Sequence, residues 1–575
     1  MLGKKTLRLV TAALLVGLAL GAQVPTAHHA TATTAATVVS ITDWQFPAGC
    51  NTTFANEAVS VEACAAETYD SIWAFDQNLK YFPDLAQDMP TQQNGEVKVV
   101  NGNLVLTIKL KPNLKWSDGT PLTAADVVFS YPVDLKAGDW IPAPLKSIKA
   151  IDAHTVQETF DGQYGAYVAY GQPSPVLPKH YLIKKYGTSD PAKIALKFAN
   201  DPYDSPSDVN SGPYMVKSFT ANQSVVLVRN PYYNALPAAP GHPRPSQIKF
   251  VAVTNEANAL AQDLQSAHAG VDAAEDFQTD NLPVLDAAKH YHVHNLPGLF
   301  VEFLNINESG VMRDVRLRRA LQLAVDKVTL FHQLFPTVAK PADFVLRTMT
   351  PLPNTFRDKT VPISTYDPAR ALTLLKSAGY STGCSAPGAA CYNAPGKHLV
   401  LRFAATKTST REKDFQILNR YWAAVGIHVT PRFGTASGNF GIYDSWAHNG
   451  ILVRGLYDVI LMGYTESPDP AQNTVNYDPA QIPSASLPNG QNVSRIKDAD
   501  QYKLLLQSTN SLDLNQRLSL YHRWERVITD RVYQIPLYNR SFISADNGSI
   551  GNYKPSLGQT TNEWNVFEWF KKAAS

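Results

Sequence analysis

The 575-residue sequence has few charged side chains and lacks long apolar runs beyond its N-terminus. Asp, Glu, Lys and Arg make up 17% of the residues, against about 25% in an ordinary soluble domain. The 51 Lys and Arg nearly balance the 49 Asp and Glu, which leaves a net charge of +2. This balance argues against a nucleic-acid partner. No apolar run after residue 22 reaches the roughly 18 residues that a membrane-spanning helix needs.

Catalytic sequence motifs are also missing. The chain contains no GxSxG, HExxH, P-loop or GxGxxG pattern, which are the signatures of common hydrolases and nucleotide-binding enzymes. With 49 acidic residues, pairs of carboxylates arise by chance, and no spacing singles out a general acid and base. We therefore expect a protein that is not an enzyme and that uses no cofactor. An exported hydrolase is kept as the alternative from another functional class.

The N-terminus is typical of a signal peptide. Lys4, Lys5 and Arg8 precede the apolar segment 9–22, LVTAALLVGLALGA, which is too short for a comfortable membrane span. Residues 1–37 are therefore expected to be a signal peptide and linker. The first cysteine is Cys50, so a lipoprotein anchor near the cleavage zone is not expected. The mature chain should be exported, to the periplasm or the cell surface.

Four cysteines fit an exported protein, because oxidising compartments favour disulfides. Cys50, Cys64, Cys384 and Cys391 allow three pairings. Their spacing favours Cys50–Cys64 and Cys384–Cys391, and neither pair has the CxxC spacing of a metal site.

The segment 104–131 has the pattern of a strand, a turn and a capped helix. Apolar residues at 104, 106, 108 and 110 alternate with other residues, as in a half-buried strand. Ser117–Gly119 supplies turn residues. Thr123 followed by Asp126 predicts a capping-box-like start of a helix.

This segment carries a resemblance to a known family. Lys111–Tyr131, KPNLKWSDGTPLTAADVVFSY, closely resembles the marker segment of the family 5 extracellular solute-binding proteins of ABC importers, the dipeptide- and oligopeptide-binding group. The family's other segments are matched by VLPKHY, GPY followed by RNPYY, and YDPARALTLLKSAGY. The resemblance extends over nearly all of the chain after Val38.

The resemblance implies an α/β fold of the periplasmic-binding-protein type II (cluster C). Two lobes with mixed sheets would be joined by a hinge, and a smaller extra domain would be added. Domain I would comprise 38–70, 210–297 and 535–575, domain II 71–209, and domain III 298–534. The hinge strands would be Leu299–Ile306 and Ile535–Ser544.

The same resemblance points to a ligand-binding segment at Gly463–Pro470, GYTESPDP. In peptide-binding relatives this loop resembles GWxxDxxDP, and an Asp in it pairs with the ligand's α-ammonium group. A buried ammonium needs a fixed anion, since an unpaired charge is costly. Here the loop is one residue shorter, and Glu466 stands near that position, followed by Asp469. We expect Gly463, Tyr464, Glu466 and Asp469 to contact the ligand.

Further ligand contacts are expected from one arginine and two tryptophans. Arg411 resembles the position at which dipeptide carriers place a carboxylate-binding arginine, and bidentate pairing suits Arg for that task. Trp44 and Trp446, like Tyr464, are aromatic residues that could supply rigid walls.

Three histidines form a weak candidate for a metal site. His290, His292 and His294 would point to one face of a strand, but no cysteine or carboxylate lies beside them to complete a ligand set. An ordinary surface strand is the favoured interpretation, so no metal is expected.

A long amphipathic helix is expected after Asp314, which can cap it. Apolar residues at 317, 321, 324, 328 and 331 would lie on one face. Arg316, Arg318, Arg319 and Lys327 would occupy the solvent-exposed remainder.

The combined prediction is an exported, monomeric solute-binding protein. It would capture peptides or peptide-like solutes between two lobes and deliver them to the permease and ATPase subunits of an ABC importer. The same fold could instead bind an oligosaccharide, a nickel complex or another small organic molecule, because the GYTESPDP loop departs from the peptide-binding pattern. A receptor that works without a transporter is a further alternative.

Overall fold

The computed structural model describes residues 37–43, 47, 49–51, 64, 66–137, 144–169, 175–252, 271–275, 277, 282–287, 290–338, 340–351, 354–380, 392–394, 397–434, 446, 450–556 and 562–572. Its strands are β1 Val38–Asp43, β2 Trp73–Phe75, β3 Tyr81–Pro83, β4 Val97–Val100, β5 Asn103–Lys109, β6 Leu145–Ala150, β7 Thr155–Phe160, β8 Tyr214–Thr220, β9 Ser224–Arg229, β10 Gln247–Ala252, β11 Ala273–Ala274, β12 His292–Ile306, β13 Tyr392–Ala394, β14 Lys397–His398, β15 Val400–Thr406, β16 His428–Gly434, β17 Val459–Thr465, β18 Gln534–Asp546, β19 Ile550–Gly551 and β20 Phe570–Lys571.

The α-helices are α1 Ala66–Thr68, α2 Ala124–Ala137, α3 Lys179–Tyr186, α4 Pro191–Phe198, α5 Leu282–Asp286, α6 Val315–Leu323, α7 Lys327–Leu334, α8 Pro368–Ser377, α9 Ser409–Ala424, α10 Ile451–Arg454, α11 Thr474–Tyr477, α12 Ala499–Asn510 and α13 Leu514–Arg531. Short 3-10 helices lie at Gly310–Arg313, Pro341–Asp343, Pro470–Asn473, Pro479–Gln481 and Asn562–Glu568. Among the helices in these ranges, none combines the length and the hydropathy that crossing a bilayer requires.

A large mixed sheet organises the molecule. Within the described residues its ten strands follow the order β16-β15-β17-β12-β18-β11-β1-β10-β9-β8. Strand β15 is parallel to both β16 and β17, and β1 is parallel to both β10 and β11. Strands β12 and β18 stand between these two parallel groups. This arrangement confirms the predicted α/β class.

The long strands β12 and β18 connect the two halves of the sheet. Residues 301–305 of β12 pair with 534–539 of β18, and 292–297 pair with 541–546. Between these two paired stretches the register shifts. On one side of the shift β12 also pairs with β17, and on the other side β18 pairs with β11. We call residues 297–301 and 539–541 the crossing.

The marker segment folds as the sequence predicts. Strand β5 buries Leu104, Leu106 and Ile108 and lies in a second sheet of order β4-β5-β7-β6. Gly119 adopts φ +85°, as the tight turn requires. The carboxylate of Asp126 accepts a hydrogen bond from the Thr123 backbone N–H at 2.9 Å, which is one half of a capping box.

The helix predicted after Asp314 is interrupted. Asp314 does cap α6, by accepting from the Arg316 N–H at 2.9 Å, but α6 ends at Leu323. Asp326 then caps a second helix, α7, by accepting from the backbone N–H groups of Val328 and Thr329. The prediction of one continuous helix was wrong because an aspartate is among the best N-caps and favours a new start.

Two of the cations expected on the exposed side of that helix are buried. Arg318 donates to the carbonyl oxygens of Met312 at 2.8 Å and Arg531 at 2.9 Å. Lys327 donates to those of Leu346 at 2.6 Å and Pro536 at 3.0 Å. Carbonyl acceptors offset the cost of burying these charges, and burial still lowers the pKa of Lys327 to about 7.

The predicted Cys50–Cys64 disulfide is present, with a Cα–Cα distance of 5.2 Å. Cys384, Cys391 and Trp44 lie outside the described residues, so the second predicted disulfide and the first predicted aromatic contact stay predictions.

Candidate functional site

The carboxyl ends of three parallel strands lie at one edge of the large sheet. Strands β15, β16 and β17 end at Thr406, Gly434 and Thr465. Strand β12 runs in the opposite direction, so the crossing reaches the same edge, where the carbonyl of Leu299 accepts from the Glu466 N–H at 3.1 Å. Ligands of open α/β sheets bind beyond the carboxyl ends of strands. We call this region the carboxyl edge.

A buried carboxylate holds two guanidinium groups at this edge. Glu302 of β12, whose side chain is 1% exposed, accepts from Arg411 Nη2 at 3.0 Å and from Arg540 Nε at 2.9 Å. Arg411 also donates to Thr406 Oγ1, at the end of β15. We call Glu302, Arg411, Arg540 and the neighbouring Asp414 the Glu302 cluster.

Asp414 of α9 contributes no charge to this cluster at neutral pH. It is fully buried and accepts from the Tyr538 hydroxyl at 2.8 Å. Burial, and secondarily the negative charge of Glu302, raise the pKa of Asp414 to about 8. Two guanidinium groups therefore face one ionised carboxylate, and the Glu302 cluster carries one surplus positive charge.

The surplus charge is accessible at Arg540, whose side chain is 46% exposed. Its guanidinium lies 4.1 Å from the centre of the Phe300 ring, a cation–π contact. A Cβ atom on Gly463 would come within 2.3 Å of Phe300 Cε1 and 2.8 Å of the Val301 carbonyl. Gly463 is therefore required for the ring that supports Arg540.

Tyr464 and Glu466 lie on the other face of the sheet. In the antiparallel pairing Glu302 is opposite Gly463, and Val301 is opposite Tyr464. Because neighbouring side chains on a strand point to opposite faces, Tyr464 faces away from the Glu302 cluster. Burial, and next the negative charge of Glu466, raise the pKa of the Tyr464 hydroxyl. The carboxyl edge thus has a cationic cluster on one face and an acid on the other.

Glu466 is a buried acid held by an amide. Its side chain belongs to a residue that is 2% exposed, and both carboxylate oxygens accept from Asn473 Nδ2 at 3.1 Å. Asn473 lies at the end of the 3-10 helix Pro470–Asn473, so the GYTESPDP loop folds back onto its own acid.

Asp469 forms a closed ion pair with Arg517 of α13. Its two oxygens accept from Arg517 Nη1 at 2.8 Å and Nη2 at 2.9 Å, and Oδ1 also caps Ala471 N–H at 3.0 Å. Arg517 donates further to the carbonyl of Gly165 at 2.9 Å. This pair ties the ligand loop to α13 and to the segment around residue 165.

The remaining predicted site residues lie elsewhere. Trp446 is half-buried beneath Arg454, whose guanidinium is 4.4 Å from the ring centre. His294 pairs with Asp546 at 2.7 Å, and His292 lies 3.8 Å from the same carboxylate, while His290 is exposed. Across the described ranges, no group of three or more His, Cys, Asp or Glu side chains is arranged to hold a metal ion.

The sequence analysis missed Glu302, Asp414 and Arg540. Two of them carried a readable signal, because each is the lone charged residue in an apolar strand: Glu302 in LFVEFLNI and Arg540 in IPLYNRSFIS. A charge on a buried strand is costly unless it is paired, so two such charges of opposite sign suggest each other as partners.

The fold is that of the type II periplasmic-binding proteins, a class in which a mixed sheet in two halves carries a solute site. The chain belongs to the bacterial extracellular solute-binding proteins, family 5, whose middle-region model matches residues 80–481. This membership confirms the family that the marker segment predicts.

Two relatives illustrate the range of this family. The "Probable D,D-dipeptide-binding periplasmic protein DdpA" of Escherichia coli is 32% identical over 229 residues, which cover 38% of this chain and 40% of that protein. The "Probable deoxycholate-binding periplasmic protein YgiS" of the same organism is 24% identical over 490 residues, 79% of this chain and 81% of that protein.

Solved structures share the fold. NikZ from Campylobacter jejuni, in complex with Ni(L-His), matches with a TM-score of 0.69 and 19% identity. AppA from Bacillus subtilis, in complex with a nonapeptide, matches with a TM-score of 0.66 and 19% identity. Each alignment covers 93% of this chain and 99% of the other.

Proposed function

We propose that this solute-binding protein captures a peptide or peptide-like solute at the carboxyl edge and delivers it to the permease and ATPase subunits of an ABC importer. One observation carries the proposal. The edge presents a surplus positive charge at Arg540 and a buried carboxylate at Glu466. A peptide carries the complementary pair, a carboxylate and an ammonium group. The relationship to DdpA, named for binding a D,D-dipeptide, supports this ligand class.

Arg540 is the proposed partner of the ligand's carboxylate. Arg411 is buried and shared between Glu302 and Thr406, which leaves Arg540 as the better exposed guanidinium. Charge-assisted pairing of a guanidinium with a carboxylate is strong and directional. Arg411 would then position Glu302, which in turn orients Arg540.

Glu466 is the proposed partner of the ammonium group. Its side chain hangs on the loop that leaves the end of β17, while Arg540 lies in the crossing at the same edge. A ligand lying across the edge would reach both faces of the sheet. Because the acid already accepts from Asn473, an arriving ammonium group would meet a preoriented carboxylate.

The two sheet halves are proposed to close around the ligand as lobes, with the crossing as hinge. Hinge closure around a ligand is a common mechanism of such proteins. In this proposal 38–70, 210–297 and 535–575 form domain I, 298–534 form domain III and 71–209 the extra domain II. The chain would work as an exported monomer without catalytic activity.

End-blocked peptides test both contacts separately. Mass spectrometry of solute that copurifies with the mature protein first identifies the peptide to be used in calorimetry. We expect E466Q to weaken that peptide about 10- to 100-fold, since one charge-assisted contact contributes roughly 1.5–3 kcal/mol. An N-acetylated peptide should be insensitive to E466Q, and a C-amidated one insensitive to R540Q.

Arg420 offers a matched control. It is exposed on α9 and donates only to Gln333 among its recorded contacts, so R420Q changes net charge without touching the edge. Tight binding of an oligosaccharide with no response to any peptide would contradict the proposal.

A carboxylate-bearing solute without an amine is the second candidate. It is favoured by the shortened GYTESPDP loop, in which Glu replaces the expected Asp, and by the relationship to YgiS, named for binding deoxycholate. In that case R540Q would weaken binding while E466Q would leave it unchanged.

A further inference from the structure

A second cavity lies away from the carboxyl edge, between α6, α8, α13 and the segment 347–367. Its volume is about 680 Å³, within the range of roughly 300–1,000 Å³ that is typical of small-molecule sites. Four arginines and two aspartates line it: Arg319, Arg347, Arg370, Arg526, Asp367 and Asp530. Cations therefore outnumber anions on its wall.

The acids near the cavity are largely occupied. Asp358 pairs with Arg526 at 2.7 Å, and Asp367 caps α8 by accepting from the Arg370 backbone N–H at 2.8 Å. Arg319 bonds to the carbonyl of Asp530, at 3.0 Å and 3.2 Å, rather than to its carboxylate. Glu525 accepts from Thr350 and from the Asp358 N–H.

Three of the lining arginines keep unmatched charge. Among the described residues Arg319, Arg347 and Arg370 form no ion pair within 4.0 Å. The strongest recorded contact of the Arg347 guanidinium is a long one, 3.4 Å to the carbonyl of Val361. Guanidinium groups present a planar fork that fits carboxylate and phosphate oxygens.

Two orphaned polar groups point to a missing occupant. Ser364 lines the cavity, and its buried hydroxyl has no hydrogen-bond partner in the described structure. The buried Nε of Arg357 likewise has none. Burial and the adjacent positive charge of Arg347 lower the pKa of Arg357. Two guanidinium groups held close together with unmet donors are the surroundings that an anion would stabilise.

We propose that this cavity is a second binding site, which takes a small polyanion carrying phosphate or carboxylate groups. Arg347 and Arg370 would bind its charged oxygens, and Ser364 would donate or accept one further hydrogen bond. The site is separate from the carboxyl edge, because Val532, which lines the cavity, precedes Arg540 by eight residues, about 25 Å of extended strand. The inference therefore does not depend on peptide capture.

Calorimetry with pyrophosphate and citrate at constant ionic strength tests the proposal on the mature protein. Pyrophosphate represents a phosphate-bearing occupant and citrate a carboxylate-bearing one. We expect at least one of them to bind, and R347Q/R370Q to weaken it about 100-fold, roughly tenfold for each lost charged contact. The control pair R313Q/R420Q makes the same change in net charge at exposed residues outside the cavity and should leave the affinity unchanged.

Two results would overturn the proposal: the absence of a binding isotherm for both anions, or equal weakening in the cavity pair and the control pair, since the latter indicates general charge attraction. If R347Q/R370Q fails to fold, R370Q alone serves, because Arg370 is exposed on α8. Binding of the copurified solute should be the same in R370Q and wild type, which separates this site from the one at the carboxyl edge.

Discussion

The two arginine–carboxylate assemblies at the carboxyl edge differ in their balance of charge. Arg517 and Asp469 are one cation and one anion, with side chains only 7% and 10% exposed. The Glu302 cluster pairs two arginines with one ionised carboxylate, and Arg540 remains 46% exposed.

The difference separates structure from binding. Arg517 and Asp469 satisfy each other and hold the loop against α13, so no charge is left for a ligand. In the Glu302 cluster the buried acid orients Arg540 but neutralises only one of its two arginines. Surplus charge at an exposed position is available to a solute. The predictions that follow test this contrast, from the largest expected effect to the smallest.

Removing the acid of the balanced pair should damage stability most. D469A leaves Arg517 buried without its anion, which typically costs about 3–5 kcal/mol. The free energy of unfolding, measured by urea denaturation, should fall by that amount. The double variant D469A/R517M should recover part of the loss, because it removes the stranded charge. A loss below about 1 kcal/mol in D469A would show that the pair is not structural.

Asp414 should make stability depend on pH. Its carboxyl group titrates near 3.9 when unfolded but at about 8 when folded. Between about pH 4 and 8 the folded state therefore retains a proton that the unfolded state has lost, so stability falls as pH rises.

The variant D414N removes this dependence and keeps an oxygen that can accept from Tyr538. Relative to wild type, its free energy of unfolding should be about 2–4 kcal/mol more favourable at pH 8 than at pH 5. Parallel stability profiles of the two proteins between these pH values would contradict the assignment of a neutral Asp414.

Changing the exposed arginine of the unbalanced cluster should affect binding more than stability. R540Q is expected to weaken the copurified solute by about 10- to 100-fold, while the free energy of unfolding changes by less than about 1 kcal/mol, because the side chain is half exposed. Calorimetry and urea denaturation of the same preparation measure both. A large stability loss with unchanged affinity would reverse the contrast between the two assemblies.

An exposed pair away from both assemblies should contribute little. Arg402, whose side chain is 54% exposed, pairs with Asp458 at 2.9 Å. R402Q should change the free energy of unfolding by about 0–1 kcal/mol, as surface ion pairs do. A loss comparable to that of D469A would show that burial is not what distinguishes the Asp469 pair.

Local features of the fold could be predicted because neighbouring residues decide them. The strand, turn and capped helix at 103–137 depend on alternation and on capping side chains two or three residues away. The helix caps at Asp314 and Asp367 are local in the same way. Asp326 was missed because a second cap inside an apolar period is easily taken for an exposed helical residue.

The site could be predicted only in part. Resemblance led to Arg411 and Glu466, and both lie just beyond the ends of parallel strands at one edge. Their placement on opposite faces depends on the register of β12 against β17, which no local pattern specifies. Glu302 and Arg540 are 238 positions apart in the sequence, so their contact follows only from the pairing of β12 with β18.

The sequence by itself determined the family, the α/β class, the helix caps and the order of the elements, since these depend on residue types and short spacings. Only the tertiary structure decided which charges meet. Strand register placed one acid between two arginines, and burial kept Asp414 neutral, so the surplus positive charge appears at Arg540. That charge is a property of long-range packing and solvation, to which a spacing along the chain is blind.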